Sequence, residues 1–253
     1  MGYGARLGSW LAGDFNGDGG SDLLHRWGPN AANVWLSRRD GRFDVQAFPA
    51  WPEYGMSAGT WHAADIDGDG STDLLHAWGG SSVNVWFGTR NGSFTLSSFT
   101  PWPGYGVHLG SWIAADVSGD GKAEFLHRWG PHGANMWIYS GGGTFTVRAV
   151  SPWDSYGMSG RWIPLDINGD RQSELVHLCC ANYLNVWQFN SNASLVSVKL
   201  AQAWPSYGMT LGFWQPGDYN GDRRGDLLHV WGENANVWHS AGDGTFSIVP
   251  FSP

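Results

Sequence analysis

An all-β, five-bladed β-propeller with four antiparallel strands in each blade is the fold predicted by this sequence of 253 residues. Three observations carry that expectation. The chain repeats about every 51 residues, its segments read as short strands between tight turns, and its eighteen tryptophans keep step with the repeat. A period of this length is the mark of a solenoid, propeller or array.

The elements follow in a fixed order. Each unit opens with Gly-x-Trp, at Trp10, Trp61, Trp112, Trp162 and Trp214, spaced by 51, 51, 50 and 52 residues. In the first unit this begins a strand over Ser9–Gly13. An acidic loop follows, and then a second strand over Asp22–Trp27, carrying a His eleven residues after the first Asp. A third strand, Asn33–Leu36, contains Asn-[Val/Met]-Trp. Asp40-Gly41, Asn91-Gly92 and Asp243-Gly244 lie between third and fourth strands, and such steps are strong hairpin signals. A fourth strand over Phe43–Phe48 leads to a Trp-x-x-Tyr-Gly link. No segment holds a helical period.

Every tryptophan occupies one of four positions in the unit. Cys179 stands where the other units have Trp27, Trp78, Trp129 and Trp231. The array therefore reads as a single domain, 1–253, with blade cores at about 3–53, 54–104, 105–155, 156–206 and 207–253. The last unit ends on an outer strand, and Met1-Gly-Tyr3-Gly4 resumes at the following Tyr-Gly. This predicts a ring closed by pairing of the termini.

Composition narrows the function. The formal charge is −8, but sixteen of the 22 acidic residues lie in the five loops. Fourteen Lys and Arg are too few for an electrostatic footprint on nucleic acid. No apolar run is long enough to cross a membrane as a helix. The adjacent Cys179 and Cys180 are compatible with a vicinal disulfide or with two thiols.

Each acidic loop offers side-chain oxygens at its first, third, fifth and ninth positions and a backbone carbonyl at the seventh. The sets are Asp14, Asn16, Asp18, Gly20 and Asp22; Asp65, Asp67, Asp69, Ser71 and Asp73; Asp116, Ser118, Asp120, Lys122 and Glu124; Asp166, Asn168, Asp170, Gln172 and Glu174; and Asp218, Asn220, Asp222, Arg224 and Asp226. Alternating hard oxygens closed by a carboxylate suit Ca²⁺. Up to five ions are expected, one per repeat. Five dications would bring the net charge to +2. The sixth position is Gly19, Gly70 or Gly121 in the first three loops, but Arg171 and Arg223 in the last two. A bulky residue is strained at positive φ, and its charge opposes a dication. Loops one and two should therefore hold metal best. The alternative is a metal-free Asx-type turn.

Asp65-Ile-Asp-Gly-Asp-Gly-Ser-Thr-Asp73-Leu-Leu resembles the FG-GAP/VCBS repeat of integrin-like β-propellers. The resemblance implies a propeller, calcium at the positions just given, a secreted or extracellular setting, and binding rather than catalysis. Within this group the chain is similar to the integrin-like propeller lectins, which bind sugars between blades. Five units and a Trp/His-rich signature depart from the general pattern.

Strand direction places the acidic loops at one end of each blade and a second constellation at the other. This rim gathers Tyr3, His25, Arg26, Trp27, Trp51, Tyr54, His76, Trp78, Trp102, Tyr105, His127, Arg128, Trp129, Trp153, Tyr156, His177, Trp204, Tyr207, His229 and Trp231. Aromatic planes match the C–H face of a pyranose, and polar groups around them match its hydroxyls. Repeated sites would act through avidity. The expected function is a calcium-stabilised multivalent lectin whose partners are glycans, with a homo-oligomer possible. The alternative is a protein-interaction or adhesion propeller. Blades one and three, with Arg26 and Arg128, should bind most strongly, and blade four, with Leu178 and Cys179, most weakly. Outside the loops the carboxylates are Asp40, Asp44, Glu53, Asp154, Glu233 and Asp243, in unrelated positions. Glycoside hydrolysis needs a converging pair, so no catalytic residue is assigned and no enzyme is expected.

Overall fold

A computed structural model describes residues 6–251, with side chains over 6–250. All of its regular elements are strands, and they form five four-stranded antiparallel sheets, one per repeat. The first sheet comprises β1 (Ser9–Gly13), β2 (Asp22–Gly28), β3 (Ala31–Ser37) and β4 (Phe43–Ala47). The second comprises β5 (Thr60–Ala64), β6 (Asp73–Ala77), β7 (Val83–Gly88) and β8 (Phe94–Phe99). The third comprises β9 (Ser111–Ala115), β10 (Glu124–Arg128), β11 (Ala134–Gly141) and β12 (Thr144–Ala149). The fourth comprises β13 (Arg161–Leu165), β14 (Glu174–Leu178), β15 (Tyr183–Phe189) and β16 (Leu195–Gln202). The fifth comprises β17 (Phe213–Gly217), β18 (Asp226–Trp231), β19 (Asn234–Ser240) and β20 (Phe246–Phe251). Strands within each sheet are ordered as in the chain, the arrangement of five propeller blades. The expected closure of the ring, in which Met1–Gly4 completes the unit of the C-terminal outer strand, rests on residues outside those described, as does the site residue Tyr3.

The chain groups into two compact units, residues up to 114 with 137–147, and 115–136 with 148 onward. Each has its own core. Register explains how the sheets pack. Trp10 is opposite His25, and His25 is opposite Asn33, so all three project from one face. Leu24 and Val34, opposite one another, project from the other. The two faces have different jobs. In the first unit Phe15, Leu24 and Val34 of repeat one pack against Trp61, Trp86 and Phe94 of repeat two, and all six are buried. In the second unit Ile167, Val176 and Val186 of repeat four pack with Trp214 and Trp238 of repeat five. Edge-to-face tryptophans add to this, with Trp162 and Trp187 at 4.9 Å between ring centres and Trp214 and Trp238 at 5.5 Å.

Backbone hydrogen bonds staple one repeat to the next. Met56 N–H donates to the Pro29 carbonyl at 2.5 Å and Met158 N–H to the Pro131 carbonyl at 2.8 Å. Met209 N–H likewise donates to the Ala181 carbonyl at 2.9 Å. At the opposite end Thr72 N–H donates to the Asp14 carbonyl at 2.6 Å and Gly225 N–H to the Asp166 carbonyl at 2.6 Å.

Candidate functional site

The acidic loops join the first and second strands of each sheet, and their conformation repeats closely. The first-position carboxylate accepts two backbone N–H groups. In loop two these are Gly68 at 2.8 Å and Gly70 at 3.0 Å from Asp65; in loop four, Gly169 at 2.7 Å and Arg171 at 2.8 Å from Asp166. Loops one, three and five do the same with Asp14, Asp116 and Asp218. The fifth-position carboxylate accepts the N–H of the seventh residue: Gly20, Ser71, Lys122, Gln172 or Arg224. The ninth-position carboxylate is buried in every loop. Asp73 accepts from Ile66 at 2.8 Å and from Gly88 at 2.7 Å, so it ties the loop to the end of β7. Asp22 and Asp226 do the same toward Ser37 and Ser240.

These bonds hold the turn, and each carboxylate oxygen retains lone-pair directions for a cation. Loop two fits one best. Oxygens of Asp65, Asp67 and Asp73 lie within 4.8 Å of one another, the one such acidic group among the described residues. Ligands about 2.4 Å from a Ca²⁺ ion are separated by at most about 4.8 Å across it. Burial pushes the Asp73 carboxyl up to about 7, and Glu124 and Glu174 likewise to about 7. A cation would relieve that penalty.

The other loops are less open to metal. In loop one, Arg39 from the β3–β4 turn pairs with Asp18 at 3.0 Å. In loop three, Lys122 pairs with Asp120 at 3.1 Å. In loops four and five, Arg171 and Arg223 have φ of 73° and 69°, the left-handed region where the first three loops have glycine. The strain expected there is present.

The rim at the other end divides into a buried layer and an exposed one. His25, His76, His127, His177 and His229 are fully buried, as are Tyr54, Tyr105, Tyr156 and Tyr207 to 8% or less. These histidines and tyrosines, expected at the rim, therefore lie in its buried layer. They support the rim from beneath. The Tyr156 hydroxyl lies 2.6 Å from His177 Nδ1 and accepts from Asn185 Nδ2 at 2.9 Å and Trp187 Nε1 at 3.2 Å. His177 Nε2 is 2.7 Å from the Ser159 carbonyl. A carbonyl only accepts, so Nε2 carries the proton and Nδ1 accepts from the tyrosine. Tyr54 with His76, Asn84 and Trp86, and Tyr207 with His229, Asn236 and Trp238, form the same network. Burial holds His76 and His177 down to about 4, so both rings are neutral at pH 7. Each of these rings also stacks on the leading tryptophan of its repeat, 4.0 Å from Trp61 and Trp162 respectively. The asparagine of Asn-[Val/Met]-Trp was visible in the sequence; its place in this network was not.

The tryptophans make up the exposed layer. Trp27, Trp51, Trp78, Trp102, Trp129, Trp153 and Trp204 are 38 to 55% exposed, and Trp231 is half-buried. Trp51 stands edge-on to Tyr54 at 4.6 Å, and Trp204 to Tyr207 at 4.8 Å. The buried tyrosine thus orients an indole that faces solvent.

Between repeats one and two the rim forms a cleft of about 300 Å³, walled by Arg26 and Trp27 on one side and Met56, Ser57 and Gly59 on the other. Arg26 donates to the Met56 carbonyl at 2.8 Å and to Ser9 Oγ at 2.7 Å, with its guanidinium 5.2 Å from the Trp61 ring centre. Burial lowers its pKa to about 10, still a cation at pH 7. Arg128 repeats the pattern in the other unit, reaching the Met158 carbonyl and lying 5.6 Å from the Trp162 ring centre. The corresponding cleft between repeats four and five has Leu178 in place of the arginine and measures about 170 Å³. There Cys179 and Cys180 form a vicinal disulfide where the other repeats carry a tryptophan.

The fold and these two ends define a propeller protein of acidic-loop repeats. Residues 14–76 and 65–127 match the model of the FG-GAP-like repeat. No curated protein matches it in sequence. Among solved structures it is similar to an Agrocybe aegerita lectin that recognises non-reducing terminal N-acetylglucosamine, with 20% identity and a TM-score of 0.76 over 94% of this chain and 64% of that one. It is similar to part of the Photorhabdus luminescens Tc holotoxin pore, with 17% identity and a TM-score of 0.61 over 100% of this chain and 12% of that one. It also resembles a Bacillus licheniformis rhamnogalacturonan lyase, with 15% identity and a TM-score of 0.50 over 94% and 50%. The chain thus spans about two thirds of the lectin's length and less of the others.

Proposed function

We propose that this protein is a calcium-stabilised, multivalent carbohydrate-binding protein, with sugar sites in the clefts between consecutive repeats on the rim opposite the metal loops. The observation that carries this reading is the cleft of repeats one and two. It sets an exposed indole, Trp27, beside a fixed guanidinium, Arg26, in a space of about 300 Å³. An indole face matches the C–H face of a pyranose, and the N–H groups of Arg26 not used on Met56 and Ser9 are donors for ring hydroxyls. Fold similarity to the N-acetylglucosamine-recognising lectin supports the reading. The sites are graded, because the arginine and tryptophan are both present in repeats one and three and both absent in repeat four.

Calcium enters as a staple. Asp65, Asp67 and Asp73, with the Ser71 carbonyl, are the residues that would hold it in loop two, and the corresponding oxygens in the other loops. A bound dication would neutralise carboxylates that the fold brings together, at the end of the blade away from the cleft. A secreted setting follows, where millimolar calcium suffices for such modules.

A glycan array probed with the folded protein in calcium tests the sugar site. Binding to a defined terminal sugar, lost in Trp27→Ala combined with Trp129→Ala, is expected. Absence of binding to every glycan at high protein concentration overturns the reading. Calorimetric titration with CaCl₂ tests the metal separately. No uptake, together with an unchanged melting temperature in chelator, overturns that part.

A further inference from the structure

Repeat four carries its cleft cation on a different strand. In repeat one, Arg26 on β2 lies opposite Ser9 on β1; in repeat four, Leu178 on β14 lies opposite Arg161 on β13. Residues directly opposite in an antiparallel pair share one face of the sheet. The arginine has thus crossed the ladder, to a position that holds Ser9, Thr60 and Ser111 in the first three repeats. It lines the cleft between repeats four and five together with Leu178, Met209, Leu211 and Trp214. Among the described residues it is the one charged group in that lining.

The move changes what the guanidinium can do. Arg26 is half-buried and uses N–H groups on the Met56 carbonyl and Ser9 Oγ, so it acts as a strut. In repeat five the carbonyl equivalent to that of Met56 belongs to Met209, and Trp214 Nε1 donates to it at 2.9 Å. No arginine is needed there. Arg161 is instead exposed, and its Nη2 donates to the Trp214 carbonyl at 2.9 Å. That bond orients the group and leaves Nε–H and Nη1–H as donors. Among the described residues no carboxylate pairs with it. The rim beside the cleft differs too. The Cys179–Cys180 disulfide takes the place of the indole in the other repeats. This cleft has therefore lost an aromatic plane and kept an oriented, accessible cation.

We propose that the cleft of repeats four and five binds an acidic sugar, a pyranose whose sixth carbon is a carboxylate, an assignment that rests on the carbohydrate-binding function of the chain. Such a carboxylate is ionised at pH 7. The edge of the Arg161 guanidinium grips it through two parallel N–H···O bonds, the geometry that distinguishes a carboxylate from a hydroxyl. Leu178, Met209 and Leu211 supply the apolar wall for the ring. Neutral sugars belong to the clefts that keep the indole, and repeat four differs from them in kind of ligand.

Binding to immobilised oligosaccharides tests this, using matched pairs that end in galacturonate or galactose and in glucuronate or glucose. The wild type should prefer the uronate of a pair by about tenfold or more. Arg161→Gln keeps an amide for the Trp214 carbonyl and removes the charge. It should abolish that preference and leave neutral binding unchanged. Arg161→Lys keeps the charge without the planar fork and should fall between the two. Trp27→Ala combined with Trp129→Ala should lose the neutral sugars and keep the uronates. Uronate binding that survives Arg161→Gln, or that is lost with the two tryptophans, overturns the proposal. Salt gives a second reading on the wild type alone. Uronate binding should weaken as salt rises and neutral binding should not, and uronate binding indifferent to salt overturns the proposal. Binding of neutral sugars without uronates removes this assignment and leaves the carbohydrate function standing; binding of neither removes both.

Discussion

The two ends of a repeat meet the same demand, the satisfaction of buried polar groups, over very different sequence distances. At the acidic end, Asp65 is answered by amides three and five residues away, and Asp73 by one seven residues back. At the rim, the Tyr156 hydroxyl gathers His177, Asn185 and Trp187, 21 to 31 residues downstream. A local solution tolerates substitution, because neighbouring backbone can adjust. A long-range solution does not, because one atom serves three elements. The acidic loops accordingly vary at positions three and six, whereas Tyr, His, Asn and Trp recur unchanged in repeats two to five.

The strongest way to break this contrast is Tyr156→Phe. The ring still packs, but Asn185, Trp187 and His177 each lose a buried partner. At about 1 kcal/mol or more apiece, the loss is about 3 kcal/mol, or roughly a 10 °C fall in melting temperature. Differential scanning calorimetry measures it. An equal loss from Asp166→Asn, at a turn held by local bonds, would erase the distinction.

Acid provides the next test. His177 titrates at about 4 in the folded protein and near 6.5 when unfolded. Below pH 6.5 the unfolded chain takes up a proton that the folded ring refuses. Stability from this group is complete above pH 6.5 and is lost as pH falls toward 4. At pH 5 the loss is about 2 kcal/mol. In metal-free protein Asp73, Glu124 and Glu174 act in the opposite sense, their contribution growing as pH falls through about 7. The clean measurement is therefore a difference. The gap in unfolding free energy between wild type and His177→Gln should narrow by about 2 kcal/mol from pH 7 to pH 5.

A smaller effect sharpens the acidic side. Arg171→Gly removes a side chain from a backbone at φ 73° and a cation from the loop. Urea unfolding should show a gain of up to about 1 kcal/mol, and calcium titration a tighter fourth site. Smallest for stability is Trp27→Ala, at an exposed position. Its unfolding free energy should stay within about 0.5 kcal/mol of wild type, while affinity for any glycan found on the array falls severalfold.

Much of this molecule was legible in one sequence because its signals are periodic. The strand over Ser9–Gly13 is reproduced residue for residue, and the second to fourth strands of that sheet differ from expectation by a few terminal residues. The strain at Arg171 and Arg223 was also foreseeable, since position six demands positive φ wherever the turn recurs. The division of the rim into a buried and an exposed layer was not legible. Histidine and tyrosine are polar enough to suggest ligand contact, and nothing in their spacing reveals that a single hydroxyl satisfies them both. Arg26 was expected as a polar group for ligand; it is also a strut between repeats, bonded to the Met56 carbonyl thirty residues away.

By itself, the sequence determined the repeat, the strands, the acidic turns and which end of each blade carries which chemistry. These depend on local conformational preference and on a period that one chain repeats five times. Only the tertiary structure decided which of the rim residues are buried, which cleft the arginine holds open, and that three carboxylates converge in loop two. Those outcomes depend on atoms brought together from distant positions, and burial sets their cost and their accessibility.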